Sequence, residues 1–211
     1  MKPPVQPPPR DLIVLVADKN MEATLSGLLE RSLSLGVTPI TCDLFVHPHR
    51  DPGCLNEGDD FLSSLAGAYR YALVIFDHQG CGREGVPPDQ LAEELKARLV
   101  RKGWRERAEV VVLAPELEVW AWSDSLHVPR CLGWADRSPS LREWLATTGR
   151  WPIAEAKPRR PKEALEAALR EVRKPRSSAI YLELARTVSL QGHNEPAFLR
   201  FTQALQRWFG A

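Results

Sequence analysis

Acids recur at one kind of place in this chain. Leu12 to Val16, Leu73 to Phe76 and Val110 to Leu113 are apolar runs, and Asp18, Asp77 and the pair Glu116 and Glu118 follow them within a few positions. If these runs are parallel strands of one sheet, all the carboxylates emerge at its carboxyl edge, where open α/β sheets place their ligands. Carboxylate oxygens gathered there repel one another unless a cation lies between them, and hard oxygen donors suit Mg²⁺ or Mn²⁺. Asp18, Asp77, Glu116 and Glu118 are therefore candidate ligands of a divalent metal. His78 and Glu116 are the groups expected to carry protons, so Asp77, His78 and Glu116 form the expected catalytic set. The plain alternative for any one of these acids is the N-cap of the next helix.

The spacing of apolar residues supplies the elements that must position them. Leu12 to Val16 reads as a strand, and Met21 to Leu35 sets Leu25, Leu28, Leu29 and Leu33 on one helical face before Gly36 stops it. Pro39 to Val46 reads as a second strand, followed by a long polar loop from His47 to Gly58. Asp59 or Asp60 is placed to cap a helix through Tyr69, and Tyr71 to Phe76 is wholly apolar and strand-like. Pro88 to Arg101 is a helix opened by proline, and Val110 to Leu113 is the fourth strand. This alternation predicts an α/β fold: a small parallel, Rossmann-like sheet of about four strands with helices on both faces, followed by a helical C-terminal extension.

Beyond Pro115 the strand signal stops and Trp120, Trp122, Trp134, Trp144 and Trp151 accumulate. A packed seam between sheet and later helices is the expectation, ahead of a base-stacking surface. Pro161 to Arg173, Ser178 to Val188 and Pro196 to Phe209 read as helices, the second capped by Ser177 or Ser178. Leu199, Leu205, Trp208 and Phe209 form the apolar stripe of the third. The expected division is a proline-rich disordered arm over residues 1–10, an α/β domain over 11–135 and a basic helical extension over 136–211.

A chain of 211 residues is long enough to bury a core without staples. The cysteines, Cys42, Cys54, Cys81 and Cys131, include no Cys-x-x-Cys pair, and neither a bilayer-spanning run nor a signal-peptide h-region is visible. Reduced thiols, a cytoplasmic location and no membrane are the expectations. Net charge is +1 but unevenly placed: residues 1–149 hold 16 Lys and Arg against 21 Asp and Glu, and residues 150–211 hold 12 against 6. Lys157, Arg159, Arg160, Lys162, Arg173, Lys174 and Arg176 concentrate that excess and are the expected contacts to DNA or RNA. Pairing with Glu163, Glu166 and Glu171 at helical spacing is the competing reading.

Two further patterns carry less. Gly80, Gly82 and Gly85 spell Gly-x-Gly-x-x-Gly after a strand, but Val86, Pro87 and Pro88 break the direct run into a helix that dinucleotide binding needs. A loop letting backbone approach a metal or phosphate beside Asp77 fits better. Cys42, His47, His49 and Cys54 match no closed zinc spacing, and Cys42 falls within a strand as a small buried hydrophobe.

The strand order, the Asp77-His78-Gln79-Gly80 turn and the segment from Pro115 to Trp120 resemble the TOPRIM-like proteins of bacterial phage-defence islands. In TOPRIM domains a Glu after the first strand and an Asp-x-Asp after the third gather Mg²⁺ for phosphodiester chemistry, and related defence families add a Glu-x-Trp helix. The resemblance implies that Asp18 stands in the Glu slot, Asp77 in the first Asp slot, and Glu118 with Trp120 in the Glu-x-Trp segment, which makes Asp18, Asp77 and Glu118 the expected metal-binding trio. It also implies partner proteins of the same defence system. Gln79 replaces the second Asp, so one neutral carbonyl oxygen stands where the motif has an anion. Glu22, Glu116 and Asp124 are the acids able to compensate. A pseudo-enzyme that keeps the fold as a docking platform would show the same departures.

Overall fold

A computed structural model of the chain describes residues 9–123, 125–190 and 194–210. Most of the proline-rich arm, and Asp124, lie outside the described residues. Four parallel strands form one sheet in the order β2-β1-β3-β4: β1 (Arg10–Val16), β2 (Cys42–Val46), β3 (Tyr69–Asp77) and β4 (Ala108–Leu113). Successive strand residues point to opposite faces, and Leu12 to Val16 and Ala72 to Phe76 are all fully buried, so both faces of the central strands are covered. One cover is made by α3 (Arg50–Ser63) and α4 (Pro88–Leu99), which pack on each other and on the sheet. The other involves α1 (Lys19–Leu29), joined by two C-terminal helices, α8 (Ser178–Thr187) against α1 and α9 (Pro196–Phe209) against β4.

Register decides what meets at the carboxyl edge. Val16 pairs with Val46 and with Ile75, and Asp77 pairs with Leu113. Asp18 and Asp77 therefore stand two residues beyond paired positions, at the same level of the sheet.

Several expectations need correcting. The helix read through Leu35 divides into α1 and a single turn, α2 (Ser32–Leu35), and the break at Glu30 and Arg31 leaves Leu33 91% exposed. The stretch read as a loop from His47 is mostly α3, because Pro52 sits in the first turn, where proline's missing N–H costs nothing. Asp59 and Asp60 cap nothing; they pair with Arg98 and Lys102. Ser177 is the N-cap of α8 without a side-chain bond, while Ser178 Oγ turns to Asn20 Oδ1 at 3.1 Å. Leu199 lies outside the α9 stripe, which Phe198, Phe201, Leu205 and Phe209 bury.

The tryptophan seam is a second core. Trp122, Trp134 and Trp151 pack with Leu145, Leu165 and Leu169 where α5 (His127–Cys131), α6 (Leu141–Thr147) and α7 (Pro161–Glu171) meet α8. Trp120 belongs instead to the main core, edge-on to Phe198 at 5.2 Å.

Candidate functional site

Each acid at the carboxyl edge is held by a different backbone element. Asp18 caps α1, its Oδ1 accepting from Asn20 N and Met21 N, both at 2.9 Å. Asp77 ends β3 and accepts Leu117 N at 2.8 Å, which ties it to the turn of 3₁₀ helix over Leu117–Trp120. Its own N–H donates to Asp51 Oδ1 at 2.8 Å. Asp51, in the first turn of α3, is thus a fifth acid at this edge, which the sequence reading missed. The signal was an acid just before Pro52, the ordinary pattern of a helix start.

These carboxylates feel one another. Burial, and then the charges of Asp51, Glu118 and Asp18, push the Asp77 carboxyl well above the usual carboxylate range. Burial is also the main cause that raises Asp51 and Glu116, with Asp18 adding to the first and Glu118 to the second. Asp77 has no cation among these influences, whereas Asp51 and Glu116 both feel Lys162. Glu116 is buried and accepts Lys162 N, at the start of α7, at 3.0 Å.

Glu118 is differently placed. It is 2% exposed, and its Oε1 accepts from Tyr181 Oη at 2.5 Å and from an Arg176 guanidinium N–H at 2.8 Å. Arg176 lies over the Tyr181 ring and also pairs with Glu166 at 3.1 Å. A guanidinium therefore supplies Glu118 with the positive charge that a metal would otherwise bring. The open recess beside Asp18 is lined by Lys19, Asn20, His47, Arg50 and Arg176.

The oxygen donors suit a hard divalent cation, but the expected trio is not drawn to a common point. Among the described residues the one set of three with ligand atoms all within 4.8 Å is His47, His49 and Glu57. In that set His47 Nδ1 accepts the His49 N–H at 3.1 Å, so the neutral ring carries its proton on Nε2, 3.9 Å from Glu57. That imidazole faces Glu57 as a donor. Cys42 and Cys54 are not in the cluster, and burial raises both thiols, Cys42 to about 12.

The neighbouring groups are also engaged. His78 Nε2 lies 2.8 Å from Val86 O. Gly80 and Gly82 have positive φ, yet their N–H groups both donate to Glu84 Oε1, at 2.9 and 3.1 Å, so the loop already holds an anion of its own. Glu22 pairs with Lys19.

No family model, curated protein or solved structure matches this chain. Function has to be read from the site itself.

Of the basic residues, Lys157 donates to Val119 O at 2.8 Å and pairs with Glu195. Lys174 donates to Cys131 O at 2.7 Å. Arg159 pairs with Glu155 and Arg160 with Glu163. Lys162 and Arg173 make no side-chain hydrogen bond or ion pair among the described residues. No helix among the described residues is long and apolar enough to cross a membrane.

Proposed function

We propose that the chain is a TOPRIM-like component of a bacterial anti-phage defence system, similar to the fourth component of the methylation-associated defence system. In this reading its carboxyl edge takes Mg²⁺ or Mn²⁺ and acts on the phosphodiester bonds of DNA or RNA. The observation that carries it is Asp77: a half-buried carboxyl that feels the charges of Asp51, Glu118 and Asp18 and has an amide N–H as its hydrogen-bond donor. Asp51 and Asp77 would hold the ion, with Asp18 and Glu118 at its margin. When bound, the ion would polarise a phosphate oxygen and acidify a water. Glu116, whose burial favours the protonated form, is better suited than His78 to give a proton to a leaving oxygen, since the His78 ring is engaged by Val86 O.

The second reading is a catalytically inactive subunit that docks partner proteins of the same system. It is favoured by Arg176 and Tyr181 on Glu118 and by Gln79 in place of an acid. Calorimetric titration with Mn²⁺ separates the two. Heat of binding in the wild type that disappears in Asp77→Ala supports the metal reading; no heat at millimolar Mn²⁺ in either protein leaves the docking reading.

A further inference from the structure

A half-open pocket of about 460 Å³ lies against the second core, inside the size range of small-molecule sites. Its lining includes Trp122, Trp134 and Trp151 with Arg130, Arg137 and Arg142, and no Asp or Glu among the described residues. The indoles are fixed: their Nε1 groups donate to Pro161 O, Ala168 O and Glu155 O at 2.9, 3.1 and 2.8 Å. The Arg137 guanidinium lies over Trp134, 4.9 Å from its centroid, and that of Arg142 over Trp151 at 4.3 Å.

These guanidiniums keep donors to spare. Arg142 uses N–H groups on Trp151 O and Pro152 O, leaving part of its five-donor fork free. Arg137 has one ion pair, at 3.7 Å to Glu171. Arg130, exposed at the end of α5, has no side-chain partner among the described residues. Three positive charges around one concave, partly apolar wall add to one another at the pocket mouth and draw an entering anion. Three arginines exceed what one carboxylate needs. A phosphate monoester, at about −1.5 to −2 near neutral pH, matches them better, and guanidinium forks fit phosphate oxygens two at a time. The guanidinium planes, backed by the buried indoles of Trp134 and Trp151, suit a flat heteroaromatic ring.

We propose that this pocket binds a nucleoside monophosphate, its phosphate held by Arg130 and Arg137 and its base set against the guanidinium plane of Arg142, which rests on Trp151. The source is either a free nucleotide or the 5′-phosphorylated end of a strand. Titration of the full chain with AMP, followed by tryptophan fluorescence and calorimetry, is the test. AMP should quench the fluorescence, and adenosine or inorganic phosphate should bind at least tenfold more weakly. The Arg130→Ala, Arg137→Ala double variant should lose at least tenfold in affinity at an unchanged melting temperature, and Arg130→Ala alone, at an exposed position, a smaller part of it. Asp77→Asn should bind AMP normally, which separates this site from the sheet edge. No response to millimolar AMP, equal binding by the double variant, or loss of binding in Asp77→Asn would overturn the proposal. A 5′-phosphorylated tetranucleotide that binds more tightly than AMP assigns the site to strand ends; the reverse assigns it to free nucleotide.

Discussion

Glu109, buried, and Asp77, half-buried, are both acids at sheet ends, and the molecule treats them in opposite ways. Glu109, near the start of β4, receives Lys96 at 2.9 Å, Arg200 at 2.7 Å and Arg207 at 2.9 Å. Burial opposes its ionisation, yet the bonds from Lys96 and Arg200 outweigh that and hold the carboxyl below its usual range. Asp77, at the end of β3, faces Asp51, Glu118 and Asp18 instead and is pushed well above it. One end of the sheet is electrostatically complete within the chain. At the other, Arg176 answers Glu118, and Lys162 is felt by Asp51 and Glu116. The charges felt most by Asp77 are those of acids, however, and like charges of that kind are stable only if protons or a cation enter among them.

The comparison can be broken first at Glu109. Glu109→Ala leaves Lys96, Arg200 and Arg207 facing one another over a buried gap. Removing one partner of a buried ion pair costs roughly 3 kcal/mol or more, so the midpoint of urea unfolding at neutral pH should fall sharply. A change under 1 kcal/mol would mean that solvent already screens this network.

At the other edge, Arg176→Met removes the counter-charge from buried Glu118. A loss of about 1–2 kcal/mol is expected, since Arg176 is itself partly exposed. The same variant should bind Mn²⁺ more tightly than wild type if Glu118 belongs at the margin of the ion site. Unchanged metal affinity would detach Glu118 from it.

Asp77→Asn is the next smaller effect, and its sign depends on pH. The folded Asp77 holds its proton to higher pH than the unfolded chain does. Its contribution to stability is therefore fully present below the unfolded value near 4 and is lost as pH rises through the folded value. Asn keeps the Oδ1 that accepts Leu117 N but carries no charge. The metal-free variant should match wild type near pH 4 and melt at or above it near pH 8. A variant several degrees less stable at both pH values would make Asp77 a structural acceptor.

The smallest effect belongs to Arg160→Ala, whose pair with Glu163 joins two exposed side chains. Thermal unfolding should move by less than about 0.5 kcal/mol.

The sheet was legible in the sequence because strands buried on both faces have to be continuously apolar, and Leu12–Val16, Tyr71–Phe76 and Val110–Leu113 all are. The start of α9 at Pro196 and its end at Phe209 were legible for a similar reason, proline opening a strongly one-sided helix. Asp51 was missed because Arg50-Asp51-Pro52-Gly53 has the composition of a loop, which hid the helix start that an acid before proline also signals. In the fold it begins α3, and Gly53 is there because a Cβ would fall 2.0 Å from His47 Nδ1. The Glu118–Arg176–Tyr181 contact was equally hidden, since it joins residues 58 and 63 positions apart in the chain. Periodicity reports which face a residue is on, and says nothing of the partner that crosses to meet it.

The most direct test of the uncompensated edge is a carbon-13 NMR titration of the Asp77 carboxyl, with and without Mg²⁺. In the metal-free protein it should titrate well above an ordinary aspartate and move down when Mg²⁺ is added. An ordinary value that Mg²⁺ leaves unchanged would contradict both the charge deficit at this edge and the cation proposed to fill it.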